Sequence, residues 1–187
     1  MRPISEVQNR KAVFSLKPNK SGPDGMAPIF FQQFWQTIKV AVMNAISSFF
    51  YSRNLLSAIN DTMINLILKV DHPIFVPQFK PINLCNIVYR INSKILVKRL
   101  KPLLKFCICM NQSAFIPGKQ IIDNIVVTHE SIHCLNNMRS ESNAFMTLKH
   151  DMSKAYDRVE WLFVVKTMEK MGFCQTWIRW MLKCMSS

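Results

Sequence analysis

Five cations, Arg90, Lys94, Lys98, Lys101 and Lys105, recur at intervals of four, four, three and four. At roughly 100° per residue such a series falls on one narrow stripe of an α-helix and on no single face of a strand. The spacing therefore predicts a long helix over 84–105, with Val88, Ile91, Ile95 and Leu103 turned away from the stripe and Pro102 kinking or ending it late. A solvated helix face usually mixes charge signs. This one carries positive charge alone, which repels itself at i,i+4, so a phosphate-lined partner explains it better than solvent does.

The charge distribution of the whole chain points the same way. The 187 residues carry a net charge of +13, and between Asp71 and Asp123 there is no acidic residue. Lys80, Arg99 and Lys119 add to the stripe within that stretch. A polyanionic partner is implied, either nucleic acid or an anionic membrane surface. No apolar run reaches the ~18 residues of a membrane span. The first residues, Met1 to Ser5, lack a signal-peptide core. A soluble, intracellular protein of nucleus or cytoplasm is expected. The hydrophobic content of 49% excludes wholesale disorder. The length suits one domain, or one and a piece. The six cysteines are scattered and read as free thiols in a reducing compartment. Cys107 and Cys109 form a C-x-C without a second ligand pair at zinc-finger spacing.

Local signals divide the chain further. A short helix is expected over 4–16, then a turn-rich block from Lys17 to Gly25. Residues 28–51 read as helical, with Phe30, Phe31, Phe34 and Trp35 as core aromatics. Residues 62–69 read as a strand ended by Asp71-His72-Pro73. A second turn block covers 111–124, a helix 123–138, and a strand 144–150 leading into Asp151. Asp157 with Glu160 three residues on has the form of a capping box, opening a helix that runs to about Met171 and stops at Gly172. A last helix carries Trp177 and Trp180. Short strands among long helices indicate an α+β fold.

The sharpest chemical feature is Lys149-His150-Asp151-Met152-Ser153-Lys154-Ala155-Tyr156-Asp157. A carboxylate between a strand end and a helix presents oxygens to a hard cation such as Mg²⁺. Two-metal phosphoryl transfer needs further carboxylates converging from elsewhere.

That segment resembles the first palm motif of reverse transcriptases from plant non-LTR retrotransposons of the long-interspersed-element type. Four further segments, in the family's order, share the resemblance. Lys20-Ser21-Gly22-Pro23-Asp24-Gly25 is similar to its K-S/A-P-G-P-D-G turn, and Leu66-Ile67-Leu68-Lys69 to L-I-P-K. Phe79-Lys80-Pro81-Ile82-Asn83-Leu84-Cys85-Asn86 is similar to F-R-P-I-S-L-C-N. Asn111-Gln112-Ser113-Ala114-Phe115-Ile116-Pro117-Gly118-Lys119 is similar to N-Q-S-A-F-I-P-G-R.

The resemblance implies a partial right-hand polymerase fold, helix-rich, with an incomplete palm sheet. Residues 1–60 would form a helical extension leading into the fingers, 61–143 the fingers with the basic helix, and 144–187 the start of the palm. The implied activity is RNA-directed DNA polymerisation, with Mg²⁺, deoxynucleoside triphosphates, an RNA template and a DNA primer. Asp151 would be the first metal-binding carboxylate. Tyr156 would lie under the sugar of the incoming nucleotide and exclude a 2′-hydroxyl; the alternative is a core aromatic, and one bulky residue could do both. Asp157 suits a helix cap better than a ligand. Lys69 and Lys80 would meet the triphosphate. Gln112, Pro117, Gly118 and Lys119 would shape the template path, and Arg90, Lys94, Lys98, Lys101 and Lys105 would follow nucleic-acid backbone.

The chain departs from the family at Lys80 and Lys119, where arginine is usual, at Leu68, where proline is usual, and at His150, where an apolar residue packs. A proline is missing between Ser21 and Gly22. The later palm elements and the thumb lie outside these residues, and no Asp-Asp pair occurs. The 187-residue polypeptide alone is therefore not expected to polymerise DNA; a non-catalytic nucleic-acid-binding remnant is the alternative. A competing pattern is His129-Glu130-Ser131-Ile132-His133, an H-E-x-x-H that on a helix suits a zinc metallopeptidase but lacks an evident third ligand.

Overall fold

The computed structural model describes residues 3–52, 57–114, 116, 118–138, 146–152 and 155–186. Contacts divide the chain into two compact units: 1–98 with 173–187, and 99–172. The fold is α+β and helix-rich, with one small antiparallel sheet among the described residues.

The first unit holds most of the core. Ser5 caps α1 (Glu6–Phe14), accepting the Gln8 N–H, and Asn9, Ala12 and Val13 form its buried face. The backbone from Pro28 to Ser52 is helical as expected but breaks at Phe34, giving α2 (Pro28–Gln33) and α3 (Trp35–Ser52). Trp35, Val42, Ile46, Phe49 and Phe50 recur along α3 at helical spacing and are buried. Of the clustered aromatics, Phe31 and Trp35 are core, whereas Phe30 and Phe34 stay exposed with ring centroids 5.1 Å apart. A short α4 (Ser57–Asn60) follows.

β1 (Thr62–Leu68) pairs antiparallel with β2 (Phe79–Cys85), Ile67 facing Lys80 and Leu68 facing Phe79. The β-branched run of β1 announces itself in the sequence. β2 does not, because Pro81 interrupts it. The Lys69 N–H donates to the Gln78 carbonyl at 2.9 Å, which makes that a hydrogen-bonded pair. Alternation then puts Leu66–Pro81 at a non-hydrogen-bonded pair. The proline nitrogen is directed away from β1, so no ladder bond is lost.

α5 (Ile87–Cys107) opens on Asn86, whose Oδ1 accepts the Val88 N–H at 3.0 Å. It buries Ile87, Ile91, Asn92, Ile95 and Leu96, and it contains Pro102 without ending there. The boundary between the units falls on this helix, after Lys98. Leu103, expected on the apolar face, is 44% exposed.

The final helix of the described chain, α9 (Gln175–Met185), belongs to the first unit. It buries Trp177, Ile178 and Trp180. The Trp180 indole packs edge-on to Phe50 at 4.8 Å and donates to the Phe50 carbonyl at 3.2 Å. Tyr89 donates its hydroxyl to the Cys184 carbonyl. Sequence order alone would have grouped α9 with the residues just before it.

The second unit contains the end of α5, then α6 (Ile121–Asn137), α7 (Ala155–Arg158) and α8 (Trp161–Lys170). The Asp123 carboxylate accepts the Gln120 N–H at 3.3 Å at the start of α6. No residue of α6 is buried, and Met168 is the buried residue of α8.

Candidate functional site

The β1–β2 hairpin sets Lys80 opposite Ile67, and Lys69 follows directly on the end of β1, its N–H bonded to the Gln78 carbonyl. The Lys69 ammonium donates to the Pro77 carbonyl at 2.9 Å, which fixes it over the turn. Lys80 is exposed.

The basic stripe of α5 divides by what its heads touch. The Arg90 guanidinium donates to the Lys20 carbonyl at 2.5 Å, and the Lys98 ammonium to the Lys11 carbonyl at 2.6 Å. Burial first, and then the charges of Lys94 and Lys11, hold the Lys98 ammonium below the ordinary lysine pKa. In the second unit, Lys101 and Lys105 line a pocket of about 290 Å³ with Pro102 and Ile116. The Lys105 ammonium lies 4.8 Å from the Phe106 ring centroid.

The turn block after α5 is held by its own bonds. The Gln112 N–H donates to the Cys109 carbonyl at 3.1 Å, Gly118 takes a left-handed φ of 83°, and Lys119 donates its ammonium to the Met110 carbonyl. Ser113 Oγ donates to Asn124 Oδ1 at 2.9 Å and so ties this turn to the first turn of α6. Pro117 lies outside the described residues.

Asp151 is exposed and lies on irregular backbone. The strand expected at 144–150 is not seen: residues 146–150 make no ladder, and 144–145 lie outside the described residues. A strand needs a partner, and among the described residues the sheet holds β1 and β2 alone. His150 is likewise exposed, so its imidazole carries no burial cost there. Asp157 sits within α7 rather than capping a helix, and Glu160 is the N-cap of α8. The backbone of Tyr156 is helical. Next to Asp151 in sequence, Met152, Arg158, Val159, Glu160 and Phe163 line a pocket of about 320 Å³.

Asp151 supplies one oxygen-donor side chain of the kind Mg²⁺ takes, and Mg²⁺ draws its remaining ligands from other carboxylates, water and substrate phosphates. Among the described residues no group of three His, Cys, Asp or Glu side chains could enclose a metal. His129 and His133 are on exposed turns of α6, and the His133 ring contacts Asn137 Nδ2 at 3.2 Å. The zinc-peptidase pattern therefore lacks a converging third ligand among the described residues.

Residues 67–187, well over half of the chain, match the family profile described as reverse transcriptase (RNA-dependent DNA polymerase). The chain belongs to the reverse transcriptase family. The match begins inside β1 and takes in Lys69, Lys80, the whole of α5 and Asp151. The chain is also similar to the Transposon TX1 uncharacterized 149 kDa protein of Xenopus laevis, with 28% identity over 172 residues. That alignment covers 91% of this chain but 13% of the transposon protein. The chain thus corresponds to a small part of that relative's length. Among the described residues no helix is long and apolar enough to cross a membrane.

Two features of the structure escape a reading of residue types alone. One is the bond from Asn86 Nδ2 to Asp24 Oδ2 at 3.2 Å, which joins two motifs. An asparagine just before an apolar-periodic run is an N-cap signal that could have located half of it. The other is the use of Lys69, Arg90, Lys98 and Lys119 as donors to backbone carbonyls, for which the sequence carries no signal.

Proposed function

We propose that this chain serves RNA-directed DNA synthesis in a non-LTR retrotransposon, of the plant long-interspersed-element type its five motifs resemble. The observation that carries the reading is the family match over residues 67–187. The similarity to a transposon protein supports it.

In this reading the hairpin grips the incoming deoxynucleoside triphosphate. Lys80 lies on β2 and Lys69 just past the end of β1, and two ammonium groups offer point charges to a polyphosphate. Asp151 is the first carboxylate ligand for Mg²⁺, which when bound neutralises charge on the transferring phosphoryl group and steadies attacking and leaving oxygens. Tyr156 packs under the nucleotide sugar and excludes a 2′-hydroxyl. Gln112, Pro117, Gly118 and Lys119 shape the template path, and the α5 stripe follows the nucleic-acid backbone. Catalysis then rests on positioning and charge neutralisation. The fold is the fingers and first part of the palm of a right-hand polymerase, acting as a soluble protein in nucleus or cytoplasm.

The test extends the reading frame by about two hundred codons past Ser187, roughly another domain. The longer polypeptide is then assayed for primer extension on RNA with Mg²⁺ and deoxynucleoside triphosphates. Extension that falls by more than about a hundredfold in Asp151→Asn is the expected result. Salt-sensitive RNA binding without extension would leave a binding remnant and overturn the catalytic reading.

A further inference from the structure

The N-terminal segment runs beside the basic stripe of α5. It is tied there at two points: Lys98 donates to the Lys11 carbonyl at 2.6 Å and Arg90 to the Lys20 carbonyl at 2.5 Å. The later position in the segment meets the earlier position in the helix, so the two run antiparallel. The anchor points are eight residues apart on α5, about 12 Å of helix. The first tie has a local cause. The Lys11 carbonyl is one of the last four of α1, which have no partner within a helix, and the Lys98 ammonium supplies one. Gln32 Nε2 adds a bond to the Val13 carbonyl at 3.1 Å, which also accepts the Leu16 N–H, and holds the Leu16 carbonyl at 3.0 Å.

The tethered segment is itself basic. Lys11, Lys17 and Lys20 are exposed, and no acidic residue occurs between Lys11 and Lys20 or anywhere in α5. The flanking carboxylates are already engaged. Glu6 pairs with Lys39 at 3.4 Å, and Asp24 accepts from Met26 N–H and Asn86 Nδ2. The charges of Lys11 and Lys94 are close enough to depress the Lys98 ammonium. Two basic rows, neither containing an acidic residue, are thus tied side by side, an arrangement that repels itself until a polyanion neutralises it.

We propose that Lys11, Lys17 and Lys20 form a second row of phosphate contacts, which with Lys94 cradles the backbone of one nucleic-acid strand along α5. This rests on the reading of the α5 stripe as a nucleic-acid surface and adds to it a segment upstream of the family match. In this arrangement Arg90 and Lys98, besides belonging to the stripe, tie the segment to the helix and set the spacing of the rows; exposed Lys11, Lys17 and Lys20 and half-buried Lys94 make the added contacts.

The experiment uses the 187-residue chain and a mixed-sequence single-stranded RNA of about twenty nucleotides, with affinity measured across a salt series. Each lost single-strand phosphate contact lowers the slope of log affinity against log salt by about 0.7. The triple variant Lys11→Gln, Lys17→Gln, Lys20→Gln is expected to lower the slope by about two. Because the ties use backbone carbonyls of Lys11 and Lys20, the helical circular dichroism should not change. The triple arginine variant keeps the charge and should keep the wild-type slope. Salt-dependent binding by wild type with an unchanged slope in the glutamine variant overturns the second row and leaves the α5 reading standing. Absence of RNA binding by the wild-type chain overturns both. Binding to phosphatidylserine vesicles in place of RNA also overturns both, in favour of a membrane surface.

Discussion

Asp24 and Asn86 are 62 residues apart in sequence, and the Asn86 side-chain amide donates to the Asp24 carboxylate at 3.2 Å. The other Asp24 oxygen accepts the Met26 N–H at 3.1 Å, and Asn86 Oδ1 accepts the Val88 N–H at 3.0 Å. One side-chain pair therefore closes the Lys20–Gly25 turn, starts α5 and locks the two together. Asp24→Ala should cost about 1 kcal/mol, as is usual for one exposed hydrogen-bonding group. Asn86→Ala should cost about 1–2 kcal/mol, because it also removes the cap of α5. The double variant should show a coupling of about 0.5 kcal/mol or more by denaturant titration. Strict additivity would mean that the bond contributes nothing.

Gly22 tests the same junction sterically. A Cβ built on it would lie 2.8 Å from Asp24 Oδ1 and 3.3 Å from both Asn86 Cα and the Cys85 carbonyl oxygen. The carboxylate could swing aside only by giving up its bonds, and the other two atoms are backbone. Gly22→Ala should therefore destabilise by about 1–3 kcal/mol. Gly25 has open space but a φ of 74°, so Gly25→Asn, which tolerates that region, should be milder than Gly25→Val. Thermal unfolding of the three variants ranks them.

These contacts mark the limit of what the residues reveal unaided. The stripe from Arg90 to Lys105 located α5, and the β-branched run located β1, because each periodicity follows directly from backbone geometry. β2 was hidden by Pro81, whose tolerance depends on pairing phase, a property of two strands together. The expected strand before Asp151 and the cap at Asp157 failed for a related reason. Both rest on local composition, whereas a strand is fixed by its neighbour, and the apolar period that defines α8 starts only at Trp161. The residues proposed for the site are read from the sequence, as types and in order. That Lys69 bonds the Pro77 carbonyl while Lys98 caps α1 required the tertiary structure.

Trp180 anchors α9 in the first unit through its ring contact with Phe50 and its bond to the Phe50 carbonyl. It is 8% exposed. Trp180→Ala should cost about 3–5 kcal/mol, the range for deleting a buried large aromatic. Trp180→Phe keeps much of the packing and loses the donor, so it should cost less, about 1–2 kcal/mol. Equal losses for the two would place the energy in the hydrogen bond rather than in packing.

Cys184, on the same helix, gives that packing a pH signature. Burial pushes its thiol from 9.0 up to about 11. The folded state disfavours the thiolate, so below pH 9 the group titrates in neither state and its contribution is fully present. As pH rises from about 9 to 11 the unfolded chain releases a proton that the folded chain keeps, and stability falls. The loss should be on the order of 1–2 kcal/mol, since the thiol is not wholly enclosed. Comparing unfolding midpoints of wild type and Cys184→Ser from pH 7 to pH 11 isolates the effect from the other groups that titrate there. The variant should lose less stability across the upper part of that range. At pH 8 the same burial should make Cys184 slower to react with a thiol reagent than exposed Cys109, Cys134 and Cys174. Parallel pH profiles, or labelling as fast as at the exposed thiols, would mean that α9 opens readily and that the Tyr89, Phe50 and Trp180 contacts hold it only loosely.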